Sequence, residues 1–556
     1  MAKKDYSKWT KEELIKEIEQ LRKQKKYGLV WEDKPEKVVE ECKNELPVLV
    51  EIKDKQIISD VNKPINLLIE GDNFHALSVL NYTHKSKIDI IYIDPPYNTG
   101  AKDWKYNNDY VDGNDLFRHS KWISMMNNRL QIAKRLLRKD GVLICAIDDN
   151  EQAHLGVLLE EIFHGFEIHC ITIIHNPGGV QGKNFSYSHE YAYFVFPKGL
   201  KKIGLQNREH NPDIRPLRDV STGDHLRTDA KNCFYPIYVK DNQVIGFGEV
   251  CDDDFHPESI NVIRKDGILE IYPIDTQGNE RKWVFARQSV DEIKGELSVE
   301  YNKRRKVYDI IRKKTRFNYK TVWDDKLFNA NLFGTQLLTK IVSTKFPFPK
   351  SLYAVKECIS AVLHRKGAII LDFFAGSGTT GHAILELNKN DGFNRRFILC
   401  TNNENDIAKE VTFPRIKNVI LGYNEPKGSQ VEGLGGNLKY FKTAFVPAEV
   451  TDKNKVALTK KATEMLCIKE DTFEEVKLTK QYKIFKNKKK FTGIVFDHQS
   501  IDDLKKEINK IDGKFSLYIF SLGDDSFDEE FEDIKEKVKL SPIPEAILRV
   551  YRRIFK

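Results

Sequence analysis

The chain has 556 residues, 40% of them hydrophobic, and a formal net charge of +8 at pH 7. That length points to roughly three or four domains with real cores, and so modest a charge permits a nucleic-acid partner without singling one out. Eight scattered cysteines with no Cys-x-x-Cys pair argue against a disulfide framework or a structural zinc site. No apolar run reaches the about 18 residues of a membrane span, and Met1-Ala2-Lys3-Lys4-Asp5-Tyr6 lacks the apolar stretch of a secretory signal, so a cytoplasmic protein without a membrane partner is expected.

The first predicted element is a short amphipathic helix, in which Thr10 and Glu13 make a capping-box pattern ahead of Leu14, Ile18 and Leu21. From about 61 to 165, strands and helices alternate. Asn66-Leu67-Leu68-Ile69 is a strand running into Glu70-Gly71-Asp72-Asn73, and Ala76, Leu77 and Leu80 suit a helix. Asp89 to Ile93 is the next strand, Trp122 to Leu137 has helical apolar spacing, and Gly141 to Ile147 is another buried strand. Such alternation predicts a largely parallel α/β sheet. Between about 172 and 330 short aromatic strands replace it, among them Tyr191-Ala192-Tyr193-Phe194-Val195-Phe196, with the basic run Lys303-Arg304-Arg305-Lys306 nearby. This reads as an inserted, mostly β domain, and basic residues interleaved with aromatics suit a nucleic-acid surface. The α/β pattern returns at about 350: Ala368 to Asp372 is a strand, a glycine turn and a helix follow, and Arg396 to Cys400 is the next strand. Beyond 440 a smaller module holds a candidate helix at Leu458 to Ile468, strand character over 482–496, and an acidic segment from Asp524 to Asp533 read as solvent-exposed.

Ligands of an open α/β sheet bind at the C-terminal ends of its strands. One strand ends in Asp372-Phe373-Phe374-Ala375-Gly376-Ser377-Gly378-Thr379-Thr380. Its glycines allow a tight turn and close ligand approach, and the following helix N-terminus favours a carboxylate. No lysine precedes Thr379 or Thr380, so this is no Walker A loop, and the spacing is not the dinucleotide Gly-x-Gly-x-x-Gly. S-adenosylmethionine fits the position, its methionyl end near Asp372 and the turn, with Asp72 in a second strand-end loop helping to enclose it. The bland alternative for Asp72-Asn73 is an Asx turn.

The strand over Asp89 to Ile93 ends in Asp94-Pro95-Pro96-Tyr97. Asp94 offers an acceptor to an exocyclic base amine, Pro95 a carbonyl on a backbone that Pro95 and Pro96 restrict, and Tyr97 an aromatic face for stacking. A base amine inside a duplex is blocked by stacking, so the base must leave the helix or already be unpaired. Asp94 then holds the amine in line for transfer and favours the charge developing on its nitrogen. Neither a metal nor a covalent enzyme intermediate is needed.

These motifs closely resemble those of the DNA amino-methyltransferases of restriction-modification systems. Asp94-Pro95-Pro96-Tyr97-Asn98-Thr99-Gly100 resembles the catalytic motif, particularly of adenine-N6 members, and Asp372 to Thr380 resembles the AdoMet motif. Catalytic motif first, recognition insertion next and AdoMet motif last is similar to the beta arrangement, which includes the Mod subunits of type III systems. Phe117 to Trp122, Ile147-Asp148-Asp149-Asn150-Glu151 and His189-Glu190-Tyr191 also resemble Mod-like segments, the last flanking the base pocket. Asn331-Leu332-Phe333-Gly334-Thr335 and Phe348-Pro349-Lys350 resemble the segment before the AdoMet motif and by that resemblance close around the cofactor. The resemblance therefore implies catalytic residues Asp94, Pro95, Pro96 and Tyr97 and cofactor residues Asp72, Asp372, Phe374, Ala375, Gly376, Ser377, Gly378, Thr379, Gly334 and Thr335, with no metal. One departure is that no acidic residue closes the strand after the glycine motif, where relatives bind the ribose; Thr401, Asn402 and Glu404 remain open for that role.

The expected fold is α/β: a Rossmann-like AdoMet-dependent methyltransferase with permuted motif order, an inserted target-recognition domain and a small C-terminal α+β module. Its expected parts are a helical extension (1–50), the catalytic-motif half (51–170), the inserted domain (171–330), the AdoMet-motif half (331–438) and an accessory domain (439–556). The implied activity is base-flipping methylation of adenine N6 in a specific sequence of double-stranded DNA, which would make the protein nucleoid-associated. The relatives imply a homodimer; a separate restriction helicase-nuclease subunit and solitary methylation for regulation are both left open. Cytosine N4 is the nearest alternative. A non-catalytic DNA-binding specificity subunit is another, against which intact Asp94, Tyr97, Gly376 and Gly378 argue.

Overall fold

In the computed structural model, which describes residues 9–23, 31–209, 212–426, 428–523, 525 and 527–555, an eleven-stranded sheet carries the principal core among the described residues. Its path is built from β1 (Glu45–Glu51), β2 (Ile65–Glu70), β3 (Ile88–Ile93), β4 (Leu137–Ile147), β5 (Phe166–Ile174), β6 (His189–Pro197), β7 (Val322–Trp323), β8 (Ile369–Asp372), β9 (Arg396–Thr401) and β10 (Asn437–Pro447), with Ile57–Ile58 paired beside β10. Across the sheet the order is β1-β10-β2-β9-β8-β3-β4-β6-β5-β7. The six strands from β10 to β4 are mutually parallel. All six residues of β3 and all four of β8 are buried, as expected of parallel strands covered on both faces.

The helices that cover this sheet include α1 (Asn73–Thr83), α2 (Arg118–Leu136), α3 (Gln152–Ile162), α4 (Leu352–Ala361), α5 (Thr379–Asp391) and α6 (Phe413–Leu421). From β3 the chain passes through α2 to β4 on one side; from β8 it passes through α5 to β9 on the other. Neighbouring strands β3 and β8 thus feed helices in opposite directions, and a crevice opens at their C-terminal ends. Asp89 fastens the opposite ends of the two strands. Its carboxylate takes Arg365 Nε at 2.8 Å and Nη2 at 3.0 Å and the backbone N–H of Ile369 at 2.8 Å.

Two compact units emerge: Met1–Lys202 with Lys320–Lys556, and Ile203–Tyr319. Residues 171–202 and 320–330, assigned by sequence to the insertion, fold with the first unit. The physical reason is that the aromatic strand β6 continues the main sheet, antiparallel to β4 on one side and to β5 on the other. Residues 439–447, assigned to the accessory domain, likewise lie in β10, parallel to β2. The rest of the tail builds a five-stranded sheet over a core of Ile484, Val495, Leu504, Ile508 and Leu517. The Ile203–Tyr319 unit is mostly β, with four-, three- and two-stranded sheets and its own core of Phe234, Tyr235, Ile237, Ile271, Trp283 and Ile310. Trp283 Nε1 donates to the Tyr235 carbonyl at 2.8 Å inside it.

At the N-terminus the capping box forms over Lys11–Lys23. Thr10 Oγ1 accepts from Glu13 N at 3.2 Å, and Glu13 Oε2 accepts from Thr10 N at 2.8 Å. The Ile18 and Leu21 side chains lie outside the described set, as does Asp524 of the acidic segment. Asp525, Asp528, Glu529, Glu530, Glu532 and Asp533 are exposed.

Candidate active site in the crevice between β3 and β8

Both sequence motifs emerge at this crevice. Asp94-Pro95-Pro96-Tyr97 follows β3 directly, and the glycine turn follows β8, with Leu371 in register with Ile91. The loop after β2 joins them, since Asn73 Nδ2 donates to the Phe373 carbonyl at 3.0 Å.

On the β3 side, Asp94 Oδ1 lies 3.1 Å from Lys350 Nζ, and Lys350 Nζ lies 3.0 Å from Glu190 Oε2. Tyr97 donates its hydroxyl to the same Glu190 oxygen at 3.0 Å, accepts from Lys350 Nζ, and offers its ring to that ammonium at 4.3 Å. Burial raises the Asp94 carboxyl above its ordinary range; Lys350 opposes the rise and Glu190 adds to it. Burial alone would lower the Lys350 ammonium, but Asp94 and Glu190 outweigh it and raise it. Burial pushes the Tyr97 phenol well up, so its proton stays to be donated. The result is one cation held by two carboxylates and a phenol. Behind it, the Pro96 carbonyl accepts from Trp122 Nε1 at 2.7 Å. Buried Asn98, at φ 56°, accepts from Trp104 Nε1 at 3.0 Å and donates to Glu151 Oε1.

On the β8 side, Asp372 is 2% exposed and both its oxygens hold the turn. Oδ1 accepts from Phe374 N at 2.9 Å and Oδ2 from Thr380 Oγ1 at 2.5 Å. Burial pushes its carboxyl up to about 7, against those two donors. Ala375 N donates to the Cys400 carbonyl at 3.1 Å, and the Gly376 carbonyl accepts from Thr412 Oγ1 at 2.6 Å. Gly376 and Gly378 sit at φ +47° and +80°, the left-handed region that only glycine enters without strain. Arg415 is wholly buried beneath the turn. Its Nη1 reaches Ser377 Oγ at 3.0 Å, Thr379 Oγ1 at 2.8 Å and the Ser377 carbonyl at 3.4 Å. Burial lowers this guanidinium to about 9.

Asp72 is the N-cap of α1, accepting from Phe74 N at 2.7 Å, with Arg129 Nη2 3.5 Å away. Its carboxylate is thus engaged locally, as the Asx-turn reading allows. Gly334 packs on the backbone of the segment that carries Lys350: a Cβ there would fall 2.2 Å from the Pro349 carbonyl oxygen. Thr335 is exposed, its carbonyl accepting from Thr339 Oγ1 at 2.8 Å. The segment bridges the crevice, since a Cβ on Gly376 would lie 3.2 Å from the Phe346 ring while Lys350 meets Asp94. Of the three residues left open for the ribose, Thr401 gives its carbonyl to Gly71 N at 2.9 Å. Glu404 Oε1 pairs with Lys105 Nζ at 2.5 Å, and Asn402 Oδ1 takes Glu404 N at 3.4 Å.

Sequence reasoning placed Lys350 only within a resembling segment and missed Arg415 and Thr412 altogether. Nothing local marks the last two, which matter because the fold slides them under the glycine turn.

Residues 88–412 match the family model described as DNA methylase. The chain belongs to the DNA methylase family. Among its relatives, the type II methyltransferase M.KpnI of Klebsiella pneumoniae is 32% identical over 387 residues, covering 66% of this chain and 88% of that one. The EcoPI Mod subunit of the type III restriction-modification enzyme of Escherichia phage P1 is 27% identical over 408 residues, 64% of this chain and 60% of that one. Among solved structures, the M1.HpyAVI–SAM complex aligns with 63% of this chain and 98% of its own at 14% identity and a TM-score of 0.29. The methylase is thus a DNA-modifying transferase, and no helix among its described residues is long and apolar enough to cross a membrane.

Proposed function

We propose that the methylase transfers a methyl group from S-adenosylmethionine to adenine N6 in double-stranded DNA at the crevice between β3 and β8. The single observation that carries this is the emergence of Asp94-Pro95-Pro96-Tyr97 and the glycine turn from adjacent parallel strands at the reversal point of the sheet. When bound, the donor supplies an electrophilic methyl group on a positively charged sulfur. The turn fits such a molecule: Gly376 and Gly378 hold it in a left-handed backbone packed closely against Phe346 and Thr412, which a Cβ would approach to 3.2 Å, and the first amides of α5 have no side-chain cap at Gly378. Phe374 to Thr379 would hold the methionyl end, while Asp372 and Arg415 shape the turn.

An everted adenine must bring its amine to Asp94, where Lys350 now sits. Lys350 can remain on Glu190 when the amine takes its place, so the pair keeps Asp94 oriented and partly neutralised until the base arrives. With the donor bound, the amine's lone pair would take the methyl group, the C–S bonding electrons would leave with the thioether, and one amine proton would pass to solvent. Asp94 stabilises the positive charge on nitrogen in a site of low dielectric. Tyr97 stacks on the base.

The Ile203–Tyr319 unit would read the base edges while its lysines and arginines hold phosphates. The likeness to Mod subunits supports a homodimer working in a restriction-modification system beside a separate restriction subunit. The test is incubation with labelled S-adenosylmethionine and mixed-sequence duplex DNA, followed by nucleoside chromatography. N6-methyladenine is expected; N4-methylcytosine alone would give the cytosine reading, and no labelled nucleoside would remove the enzymatic one.

A further inference from the structure

Behind the β3 loop, three side chains that methyl transfer does not use converge. His119 lies in the first turn of α2, Glu151 is the N-cap of α3, and His154 follows one turn later. One ligand atom from each lies within 4.8 Å of the other two. His119 Nδ1 is 2.7 Å from Glu151 Oε1, and His154 Nδ1 is 2.8 Å from Glu151 Oε2. We propose that His119, Glu151 and His154 bind a divalent first-row transition ion of the zinc class.

Four observations carry this. Glu151 is 0% exposed, and among the described residues its only partners at ion-pair distance are His119 and His154; Asn98 and, at longer range, Arg118 compensate its burial only in part. Second, Glu151 Oε2 and His154 Nδ1 have no hydrogen-bond partner, although only 2.8 Å separates them. At that distance they do not meet the geometry of an N–H donor and its acceptor. Third, two imidazoles with one carboxylate suit zinc-class ions. Fourth, the histidine side chains are each 37% exposed, so an ion can reach them from solvent.

The ion would brace the catalytic loop without touching the substrate. Glu151 Oε1 accepts from Asn98 Nδ2, and Asn98 directly follows Tyr97 with a backbone in the left-handed region. Arg118 opposes the ion. Its Nε donates to His119 Nε2 at 3.1 Å, which places the ring proton on Nδ1, and binding must displace that contact.

The experiment titrates chelator-stripped full-length protein with Zn2+ by calorimetry and with Co2+ by its visible spectrum, following the thermal midpoint in parallel. The expected result is one equivalent bound and a rise in the midpoint. His119→Ala and His154→Ala should each lose both effects. Because these two substitutions alter part-exposed side chains, they report even where Glu151→Gln does not fold. Arg118→Ala should bind the ion more tightly than the unaltered chain. Absence of a stoichiometric ion would overturn the proposal and leave a purely proton-held network. So would undiminished binding in the His119→Ala/His154→Ala double variant, which would place the metal elsewhere, for instance on the eight free cysteines.

Discussion

At Asp94, a carboxylate lifted by burial and restrained by one ammonium is well matched to a weakly basic aromatic amine. Asp94→Asn keeps the shape and loses the charge, so methyl transfer should fall by about 10²–10³-fold, the usual cost of losing one transition-state electrostatic partner; equilibrium binding of labelled S-adenosylmethionine should persist. Lys350→Met removes the influence that lowers the Asp94 pKa. The acid limb of the kcat/KM profile should therefore move to higher pH, and an unshifted limb would mean that Asp94 does not set it. Asp372 makes a different prediction. Its folded-state pKa of about 7 lies above the ordinary 3.8, so between those values the folded chain holds a proton the unfolded chain has lost. Its contribution to stability falls as pH rises from about 4 to about 7 and is level beyond. Chemical denaturation across that window should give a flatter profile for Asp372→Asn than for the unaltered protein. Asp94, Tyr97 and the glycines were legible from sequence because each chemistry sits in consecutive residues. Lys350, Arg415 and Glu151 were not legible as site residues, since their partners arrive from other elements: Lys350 meets Tyr97 253 positions away, and Arg415 meets Ser377 38 positions away.

Among elements, the segment from Asn331 to Lys350 is the one whose geometry ties the two motifs together. Gly334→Ala would force a Cβ to within 2.2 Å of the Pro349 carbonyl, and only backbone movement relieves that. The expected outcome is a loss of methyl transfer, read by single-turnover assay, with the core intact by circular dichroism. Full activity would show that Pro349 can yield without moving Lys350. The parallel strands and their helices were readable from apolar runs and alternation: Asp89 to Ile93 and Ala368 to Asp372 differ from β3 and β8 only at their edges. The aromatic strand over 191–196 was read as part of the insertion, because an antiparallel strand has the same composition in either setting. Only its pairing with Leu143–Ile147 assigns it to the main sheet, and pairing over such distance leaves no local trace.

For the molecule as a whole, a separately cored unit is held between the two halves of the transferase sheet in sequence. Exposed Lys303 and Arg304 belong to that unit. If they hold phosphates, the double variant Lys303→Ala/Arg304→Ala should weaken DNA binding on every sequence and lessen the slope of log K against log salt by about two; an unchanged slope would place the DNA on another face.

The clamp that fastens Ile369 to Asp89 joins residues 280 positions apart, and this dictates when a ribosome can release a working enzyme. During synthesis β3 emerges early with one edge still awaiting β8, while the intervening unit can collapse around Trp283 on its own. Competence to modify DNA therefore comes only after the later half is made, and a chain truncated ahead of residue 369 would keep its β3 edge open and its isoleucines wet, a substrate for proteases and aggregation rather than a partial methylase.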